Sequence, residues 1–421
     1  MVTPQLNEFG SSWMTSMRQH MDGDGGELHV VKTVLATAIL AGAASMRSLD
    51  TLLPDIAQYY GRSVGTSGAA VTAYAISYSV CQLLYGPAGD RFGPYRIITL
   101  AAILSALAAL GCALAPTFTW LVALRFLAGG VAAAVGPLTI AFISHATNSR
   151  ERPVAVAHLT GASIIGGAAG QAGGGLVGQI LNWQANFLFI AILFALSGWA
   201  MARTGARHPH FRAIGRTEVS KDGIPGARLG ALLRRPAVRL TLTAVGVEGL
   251  ATYASFTYVS AMLHGRFALG TAMIGLLIGL FGVGGIVFVL TVRRLIRRLK
   301  ESRRAVLGGT LLGVGFMALT LVRSLFIAGS AIFALGLGFF MLHNVLQVRA
   351  THMAPDAPGT AISLFAASFF LAQAVGVMIG GWTFDHLGAS TSCYSSAALL
   401  AGLGLAVGWI SHRQEVRGIA E

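Results

Sequence analysis

Four ionisable residues lie inside stretches of the chain that are otherwise apolar. They are Arg47, Asp50, Arg125 and Glu248. A charged group at the centre of a bilayer costs at least about 2.5–3.5 kcal/mol on insertion scales, so such groups normally face a partner or a water-filled cavity. Two of the four are basic and two are acidic, which predicts that they pair across a central cavity.

The two charges nearest the N-terminus, Arg47 and Asp50, are one helical turn apart. An alternative interpretation is that they pair within one helix and only hold it in place. Glu248 has no obvious partner near it in the sequence. Desolvation favours the neutral form of a carboxyl group. Glu248 could therefore gain and lose a proton at cellular pH.

The elements that must hold these residues are long apolar helices. Of the 421 residues, 54% are hydrophobic and only 11% are charged, and the mean hydropathy is +0.68. This composition is typical of an all-α membrane protein. Apolar runs predict twelve transmembrane helices, at 31–58, 67–86, 96–114, 118–144, 153–178, 185–202, 239–262, 270–292, 304–323, 325–348, 359–382 and 389–411.

A basic stretch that contains three prolines, 203–238, divides the twelve segments into two six-helix halves. We expect an N-terminal half at 31–202, a cytoplasmic linker at 203–238 and a C-terminal half at 239–411. Residues 1–30 are predicted to be a disordered cytoplasmic tail, and 412–421 a second cytoplasmic tail. Two halves with a site between them are an architecture that transporters use.

The distribution of positive charge predicts the orientation in the membrane. A cytoplasmic N-terminus places 25 of the 30 Lys and Arg residues on the inner side, which predicts that both termini are cytoplasmic. The net charge of +14 therefore does not indicate nucleic-acid binding. The N-terminal residues lack the apolar stretch of a cleaved signal peptide, and the loops are compact. We therefore expect a multi-pass protein of the bacterial inner membrane.

Motifs for other kinds of chemistry are missing from the sequence. It has no metal-ligand cluster, no nucleophile motif and no phosphate-binding Gly-x-x-x-x-Gly-Lys-Ser/Thr sequence. We expect neither an enzyme nor a bound metal or cofactor. Cys81, Cys112 and Cys393 all lie in apolar segments and are interpreted as packing residues without a disulfide.

A short charged turn links the second and third apolar segments. Gly86, Asp90, Arg91, Gly93 and Arg96 match the pattern Gly-x-x-x-Asp-Arg-x-Gly-x-x-Arg. Because Asp90 and the arginines cannot lie in hydrocarbon, the turn must be at a membrane face. It closely resembles the loop between helices 2 and 3 of the major facilitator superfamily, which implies a gating role. The alternative is an ordinary turn with positive-inside arginines.

Two further segments resemble the twelve-helix drug:proton antiporters of that superfamily. The sequence Asp50-x-x-x-Pro is similar to their helix 1 signature, and Arg125 with the glycine four residues later is similar to their helix 4 signature. The resemblance implies that Arg125 takes part in proton coupling and that Asp50 is a proton or substrate-cation site. Glu248 matches no motif of the family, so its predicted role rests on its place in an apolar segment.

A glycine-rich run in the fifth segment resembles the antiporter signature of the superfamily. Its matching residues are Gly166, Gly170, Gly174 and Gly175, and Gln171 stands where proline is expected. Glycines every four residues allow close helix contact. The missing proline weakens the inference of antiport and leaves the transporter assignment unchanged.

Polar and aromatic residues at helical spacing predict the walls of a substrate cavity. The candidates are Tyr74, Tyr78, Gln82, Thr252, Ser255, Tyr258, His343, Asn344, Gln347, Phe369 and Gln373. Aromatic groups mixed with a few polar ones suit an amphipathic ligand. The alternative for each residue is ordinary helix packing or anchoring at the membrane interface. His343 could be a second titrating group or a neutral interhelical hydrogen-bond donor.

Together these features predict a proton-coupled secondary transporter. We expect it to export a small amphipathic compound, a drug or a metabolite, by alternating access between its halves. Its partners would be that small molecule, protons and the lipid bilayer, and the resemblance implies a monomer. One alternative is proton-linked uptake of a small organic anion, attracted by Arg47 and Arg125. The other is a non-transporting membrane sensor on the same fold.

Overall fold

The computed structural model describes residues 28–148, 151–215, 230–355 and 358–416. All regular elements in these ranges are helical. We number the helices α1 (Leu28–Arg47), α2 (Leu49–Tyr60), α3 (Val64–Ser67), α4 (Ala69–Phe92), α5 (Pro94–Ala113), α6 (Phe118–Ala132), α7 (Val135–Ala146), α8 (Arg152–Ile180), α9 (Trp183–Arg207), α10 (Pro236–Phe256), α11 (Val259–Phe267), α12 (Thr271–Arg298), α13 (Glu301–Thr320), α14 (Leu325–His352), α15 (Pro358–Leu387) and α16 (Ala389–Val416).

Among these elements, eight stretches are long and apolar enough to cross a membrane by length and composition. They comprise α1, α5, α6 with α7, α9, α12, α14, α15 and α16. The chain is therefore a multi-pass membrane protein. The other long helices, α4, α8, α10 and α13, contain 20 to 29 residues each but are not among these eight, so the total of twelve crossings remains a prediction.

Three of the predicted segments are interrupted well inside their bounds. The segment at 31–58 is interrupted at Ser48, 118–144 between α6 and α7, and 239–262 between α10 and α11. Pro137 explains the second break, because it has no N–H to bond the carbonyl of Ala133 and so interrupts the helical pattern there. The first break separates Arg47 from Asp50, which the sequence places on one uninterrupted helix.

The charged turn is shorter than the sequence indicates. Helix α4 continues through Gly86 and Pro87 as far as Phe92, and α5 begins at Pro94. The reversal is confined to Gly93, whose φ of 89° lies in the region that favours glycine. Gly86 is therefore a helical residue, and α4 continues six residues beyond the predicted apolar segment at 67–86.

The helices form two sets, α1–α9 and α10–α16, that meet mainly through α4 with α15 and through α8 with α12. Thr72 on α4 donates a hydrogen bond to the carbonyl of Ala374, and Ser79 donates one to the carbonyl of Ala367 at 2.7 Å. From the first contact to the second, the residue number rises by seven on α4 and falls by seven on α15. The two helices are antiparallel, and the end of α4 lies near the start of α15.

The predicted linker and tails fall partly outside the described residues. Helix α9 extends to Arg207, so the first residues assigned to the linker at 203–238 are helical. Residues 216–229 of that linker are outside the described ranges. The same is true of 1–27 in the first predicted tail and 417–421 in the second, whereas 412–416 belong to α16.

Candidate functional site

A cavity of about 330 Å³ lies between the two helix sets. Its walls come from α1, α4, α6, α7 and α8 on one side and from α10, α12, α14 and α15 on the other. Aromatic side chains make up much of the lining, namely Tyr78, Tyr253, Phe281, Phe339, Phe340, Phe365, Phe369 and Phe370. A mostly apolar concave site with a few polar groups is the usual form of a small-molecule site.

Arg47 lies in the cavity wall and joins the two helix sets. Its Nη1 is 3.9 Å from Oδ2 of Asp50, and its Nη2 donates a hydrogen bond to Oε1 of Gln373 at 3.4 Å. The guanidinium also lies over the ring of Tyr253, 4.2 Å from the centroid, a cation–π geometry. Nη1 is buried and makes no hydrogen bond with any described residue, so both polar contacts of the guanidinium are long.

Asp50 is fully buried behind Arg47. Neither carboxylate oxygen has a hydrogen-bond partner among the described residues. Because Pro54 lacks an N–H, the backbone carbonyl of Asp50 has no helical donor. Ser260 of α11 supplies one instead, with its Oγ 2.5 Å from that oxygen. A residue of the second helix set therefore fixes the backbone on which Asp50 is carried.

Glu248 on α10 is fully buried and pairs with His343 on α14. Its Oε2 is 2.7 Å from Nδ1 of the imidazole, while Oε1 has no hydrogen-bond partner among the described residues. His343 lines the cavity, and its ring stacks on Phe339 and contacts Phe369. The sequence did not assign this pair, because its members are 95 residues apart.

Arg125 does not form the ion pair that the sequence predicts. The side chain is fully buried, and no carboxylate of the described residues lies within 4 Å of it. Its Nη1 donates to the carbonyl of Ser45 at 3.1 Å, and its Nε to the carbonyl of Ala70 at 3.4 Å. The guanidinium lies 4.1 Å from the ring centroid of Tyr74. Ser45 is in the last turn of α1, where carbonyl groups lack helical donors, so the arginine bonds to backbone instead of a carboxylate.

The structure brings only part of the predicted substrate set to the cavity. Tyr78, His343, Gln347 and Phe369 line it, whereas Tyr74, Gln82, Thr252, Ser255, Tyr258, Asn344 and Gln373 do not. Gln373 still touches the site through its bond to Arg47. Tyr74 packs against Arg125 instead.

Two of the residues outside the cavity are held elsewhere by hydrogen bonds. Ser255 contacts the hydroxyls of Ser392 and Ser396 on α16. Tyr258 donates to the carbonyl of Val377 at 2.7 Å. The polar groups of Ser255 and Tyr258 thus meet other helices and not the cavity.

Several lining residues were not among the predicted cavity residues. Tyr253 and Phe339 are the main examples, since they contact Arg47 and His343 respectively. Both lie within four or five residues of a predicted residue, Glu248 or His343. That proximity was a usable signal, because residues three to five positions apart lie on adjoining parts of a helix surface. Gln171 also lines the cavity, at the position where the antiporter signature has proline.

One end of the helix bundle is closed by contacts between the two sets. The carboxylate of Asp385 on α15 accepts hydrogen bonds from Ser63 Oγ at 2.6 Å and from the N–H of Gly65 at 3.0 Å. Nearby, the N–H of Ala272 donates to Oε1 of Gln179 at 2.8 Å. We call this region the latch end.

The opposite end carries the charged turn and is more open. Gln347 and Ile362 both line the cavity and are exposed, and they lie near the end of α14 and the start of α15. Asp90, Arg91 and Arg96 are also exposed. None of these three forms an ion pair with a described residue. Within the part of the chain that the structure describes, these three residues therefore form no ion pair that would close this end.

The glycines of α8 produce very close helix contacts. A Cβ on Gly170 would lie 2.6 Å from Cα of Ala44 on α1, and Gly166 faces the same helix, whereas Gly174 faces the break between α1 and α2. Gly175 faces the other set instead, where a Cβ would lie 3.0 Å from Cα of Gly275 on α12. The first three glycines therefore position the α1–α2 junction that carries Arg47, while Gly175 lies at the interface between the sets.

Within the described ranges, no three His, Cys, Asp or Glu side chains come close enough to hold a metal ion. The three cysteines are unpaired thiols. The ionisable groups that the site brings together are the two acid–base pairs and Arg125.

A membrane protein with a central cavity between two helix sets, closed at one end, has the architecture of a carrier. The family model described as Major Facilitator Superfamily matches residues 34–377, which is most of the chain. The chain therefore belongs to the major facilitator superfamily of membrane transporters.

The chain is similar to a drug resistance protein and to membrane transporters of several bacteria. A chloramphenicol resistance protein of Streptomyces lividans is 29% identical over 89% of this chain and 94% of its own length. A probable sugar efflux transporter of Mannheimia succiniciproducens is 26% identical over 83% of this chain and 85% of its own. The inner membrane transport protein YdhP of Escherichia coli is 26% identical over 86% and 91% respectively. The chain is thus similar along most of its length to transporters, some of them named for efflux.

Proposed function

We propose that the chain is a proton-coupled secondary transporter that exports a small amphipathic compound by alternating access. In this proposal it crosses the bacterial inner membrane twelve times, works as a monomer and has both termini in the cytoplasm. Export is favoured over uptake by the names of two relatives, a chloramphenicol resistance protein and a probable sugar efflux transporter.

The contrast between the two ends of the bundle supports alternating access. The cavity lies between two helix sets, Asp385 joins them at the latch end, and exposed lining residues mark the other end. If both termini are cytoplasmic, the charged turn and the cavity opening face the cytoplasm. Substrate would then enter from the inside, and rocking of the sets would break the latch and release it outside.

The observation that carries the proposal of proton coupling is the Glu248–His343 pair. A carboxyl group and an imidazole share one short contact, so a proton on either group can pass to the other. His343 faces the cavity while Glu248 is hidden behind it. A proton arriving through the cavity would reach the histidine first, and neutralising Glu248 would remove the ionic part of a contact between α10 and α14.

We propose that three further residues help to couple protonation to the movement of the helix sets, namely Arg47, Asp50 and Arg125. Arg47 and Asp50 lie at the junction of the sets, with contacts to Gln373 and Ser260 of the second set. Arg125 stabilises the end of α1 next to them through the carbonyl of Ser45. Protonation of Asp50 would release Arg47 from its carboxylate, which would bias the contacts between the sets.

The test is reconstitution in liposomes that contain a pH-sensitive dye, with an imposed pH gradient. The panel contains chloramphenicol, a lipophilic cation and an aromatic carboxylate. Proton movement opposite to the compound, lost in Glu248→Gln, supports coupled export. Glu301→Gln is the matched control, because Glu301 is also a paired carboxylate, 2.7 Å from Arg349, but does not line the cavity. Transport of a compound with no proton movement in the parent protein would refute the coupling.

One observation favours proton-linked uptake of an organic anion as a second candidate. The fixed charge in the cavity wall is the guanidinium of Arg47, which would attract an anion. Proton movement in the same direction as the carboxylate would establish this function. A protein that binds compounds and moves none of them would instead be a sensor on the same fold.

A further inference from the structure

The acids of the site are hidden from the cavity and the bases are not. Among the described residues that line it, Arg47 and His343 are present and no Asp or Glu is. Asp50 and Glu248 are both fully buried. Each carboxylate lies behind the base that pairs with it. A ligand in the cavity therefore meets two bases and no carboxylate.

Arg47 can bind a further acceptor. Nη1 is buried beside Asp50, but its contact with that carboxylate is long, 3.9 Å, and the hydrogen bond from Nη2 to Gln373 is also long, 3.4 Å. Tyr253 covers one face of the guanidinium, so an acceptor in the cavity would meet the edge and compete with these two long contacts. A guanidinium edge is the group that best matches the two oxygens of a carboxylate.

The rest of the wall is aromatic and surrounds a space of limited size. Phe369 contacts Phe339 with ring centroids 5.9 Å apart, and Tyr78 contacts Phe370 at 4.7 Å. The cavity of about 330 Å³ is roughly twice the cavity of about 150 Å³ that accommodates benzene. A flat compound of two fused rings suits this volume and these ring faces.

We infer that the substrate is an aromatic acid of about two rings, bound with its carboxylate against Arg47 and its rings among Phe339, Phe365 and Phe369. Aromatic faces also attract cations, but a cation here would lie beside Arg47 with no exposed carboxylate to balance it. The inference rests on the proposed function only in treating this cavity as the substrate site.

The inferred substrate class is tested with three probes that have the same shape and different charge. They are 2-naphthoate, 2-naphthamide and 2-naphthyltrimethylammonium, and their binding to the full chain in lipid nanodiscs is measured by calorimetry, with empty nanodiscs as the blank. The expected result is that naphthoate binds at least about tenfold more tightly than the amide and that the ammonium compound binds most weakly. Equal affinities, or tightest binding of the ammonium compound, would overturn the inference without any variant.

Variants then test whether Arg47 is the residue that binds the carboxylate. Arg47→Gln should lower naphthoate affinity to that of the amide and leave amide binding unchanged. Arg47→Lys should keep part of the preference, because it retains charge without the planar edge. Arg62→Gln removes the same charge at an exposed position and should have no effect. An unchanged preference for naphthoate in a folded Arg47→Gln protein would show that the carboxylate binds elsewhere.

Binding and transport can fail separately. If naphthoate binds as expected but drives no proton movement in liposomes, the substrate class stands and the proposed coupling fails. If another compound moves with protons while naphthoate neither binds nor competes, the coupling stands and the inferred substrate class fails.

Discussion

The two buried acid–base pairs share one arrangement and differ in the base that faces the cavity. Arg47 shields Asp50, and His343 shields Glu248. The first pair lies three residues apart across the α1–α2 break, with its charged atoms 3.9 Å apart. The second joins α10 to α14 at 2.7 Å. Arginine keeps its charge at any pH that a cell reaches, whereas histidine changes charge near neutrality.

This difference suggests a division of labour. A permanent cation with a loosely held carboxylate suits substrate binding, because a ligand can compete for its N–H groups. A short contact between a carboxyl group and an imidazole suits proton transfer, because either member can hold the proton. We propose that the Arg47 pair mainly binds substrate and that the His343 pair mainly couples transport to protons.

Replacing each carboxylate separately gives the largest expected difference. Glu248→Gln should reduce proton movement in liposomes to the level without protein, because the amide cannot accept the proton. Asp50→Asn should leave measurable proton movement while lowering the substrate concentration needed for half-maximal transport, because it frees Arg47. The readout is the dye response at a series of substrate concentrations.

A reversal of these two results would contradict the assigned roles. If Asp50→Asn lost coupling and Glu248→Gln kept it, proton coupling would belong to the Arg47–Asp50 pair. That is the role that the resemblance to the antiporter signature implies for Asp50. Glu301→Gln again controls for the general effect of losing a paired carboxylate.

His343→Asn removes the imidazole and keeps a side-chain N–H donor near the position of Nδ1. Proton movement should fall by at least about tenfold, since Glu248 would keep a hydrogen bond but lose its proton-exchanging partner. Naphthoate affinity should change by less than about threefold, because Arg47 provides the permanent charge. Calorimetry and the dye assay on one preparation separate the two effects. Equal losses in both assays would indicate that His343 only supports the shape of the cavity.

The sequence was sufficient for the family and the helical membrane fold. The Asp90-Arg91 turn and the Arg125 signature pointed to the superfamily, which the family match to 34–377 confirms. Both depend on local sequence patterns, and apolar runs likewise report helices directly.

Partners distant in sequence could not be predicted in the same way. The Glu248–His343 contact depends on how α10 packs on α14, and the contact of Arg125 with the carbonyl of Ser45 depends on where α1 ends. Charge counting suggested that Arg125 would pair with a carboxylate, but it could not reveal that helix ends offer unpaired carbonyl groups. The aromatic wall around Tyr253 was missed for the same reason, because stripes of aromatic residues look alike whether they face a cavity or another helix.

The smallest expected effect concerns the backbone that carries Asp50. Ser260→Ala removes the donor to the Asp50 carbonyl and should lower the free energy of unfolding in mixed micelles by about 1 kcal/mol, a typical size for an interhelical hydrogen bond in a membrane protein. The cost arises because Pro54 has no N–H to replace that donor. In a Pro54→Ala background the helix regains its own donor, so the same Ser260→Ala change should cost much less. Equal costs in the two backgrounds would mean that Ser260 acts through packing and not through the carbonyl that proline leaves free. Neither Glu248 nor His343 is followed four residues later by a proline, so this dependence on proline should be confined to the Arg47–Asp50 pair.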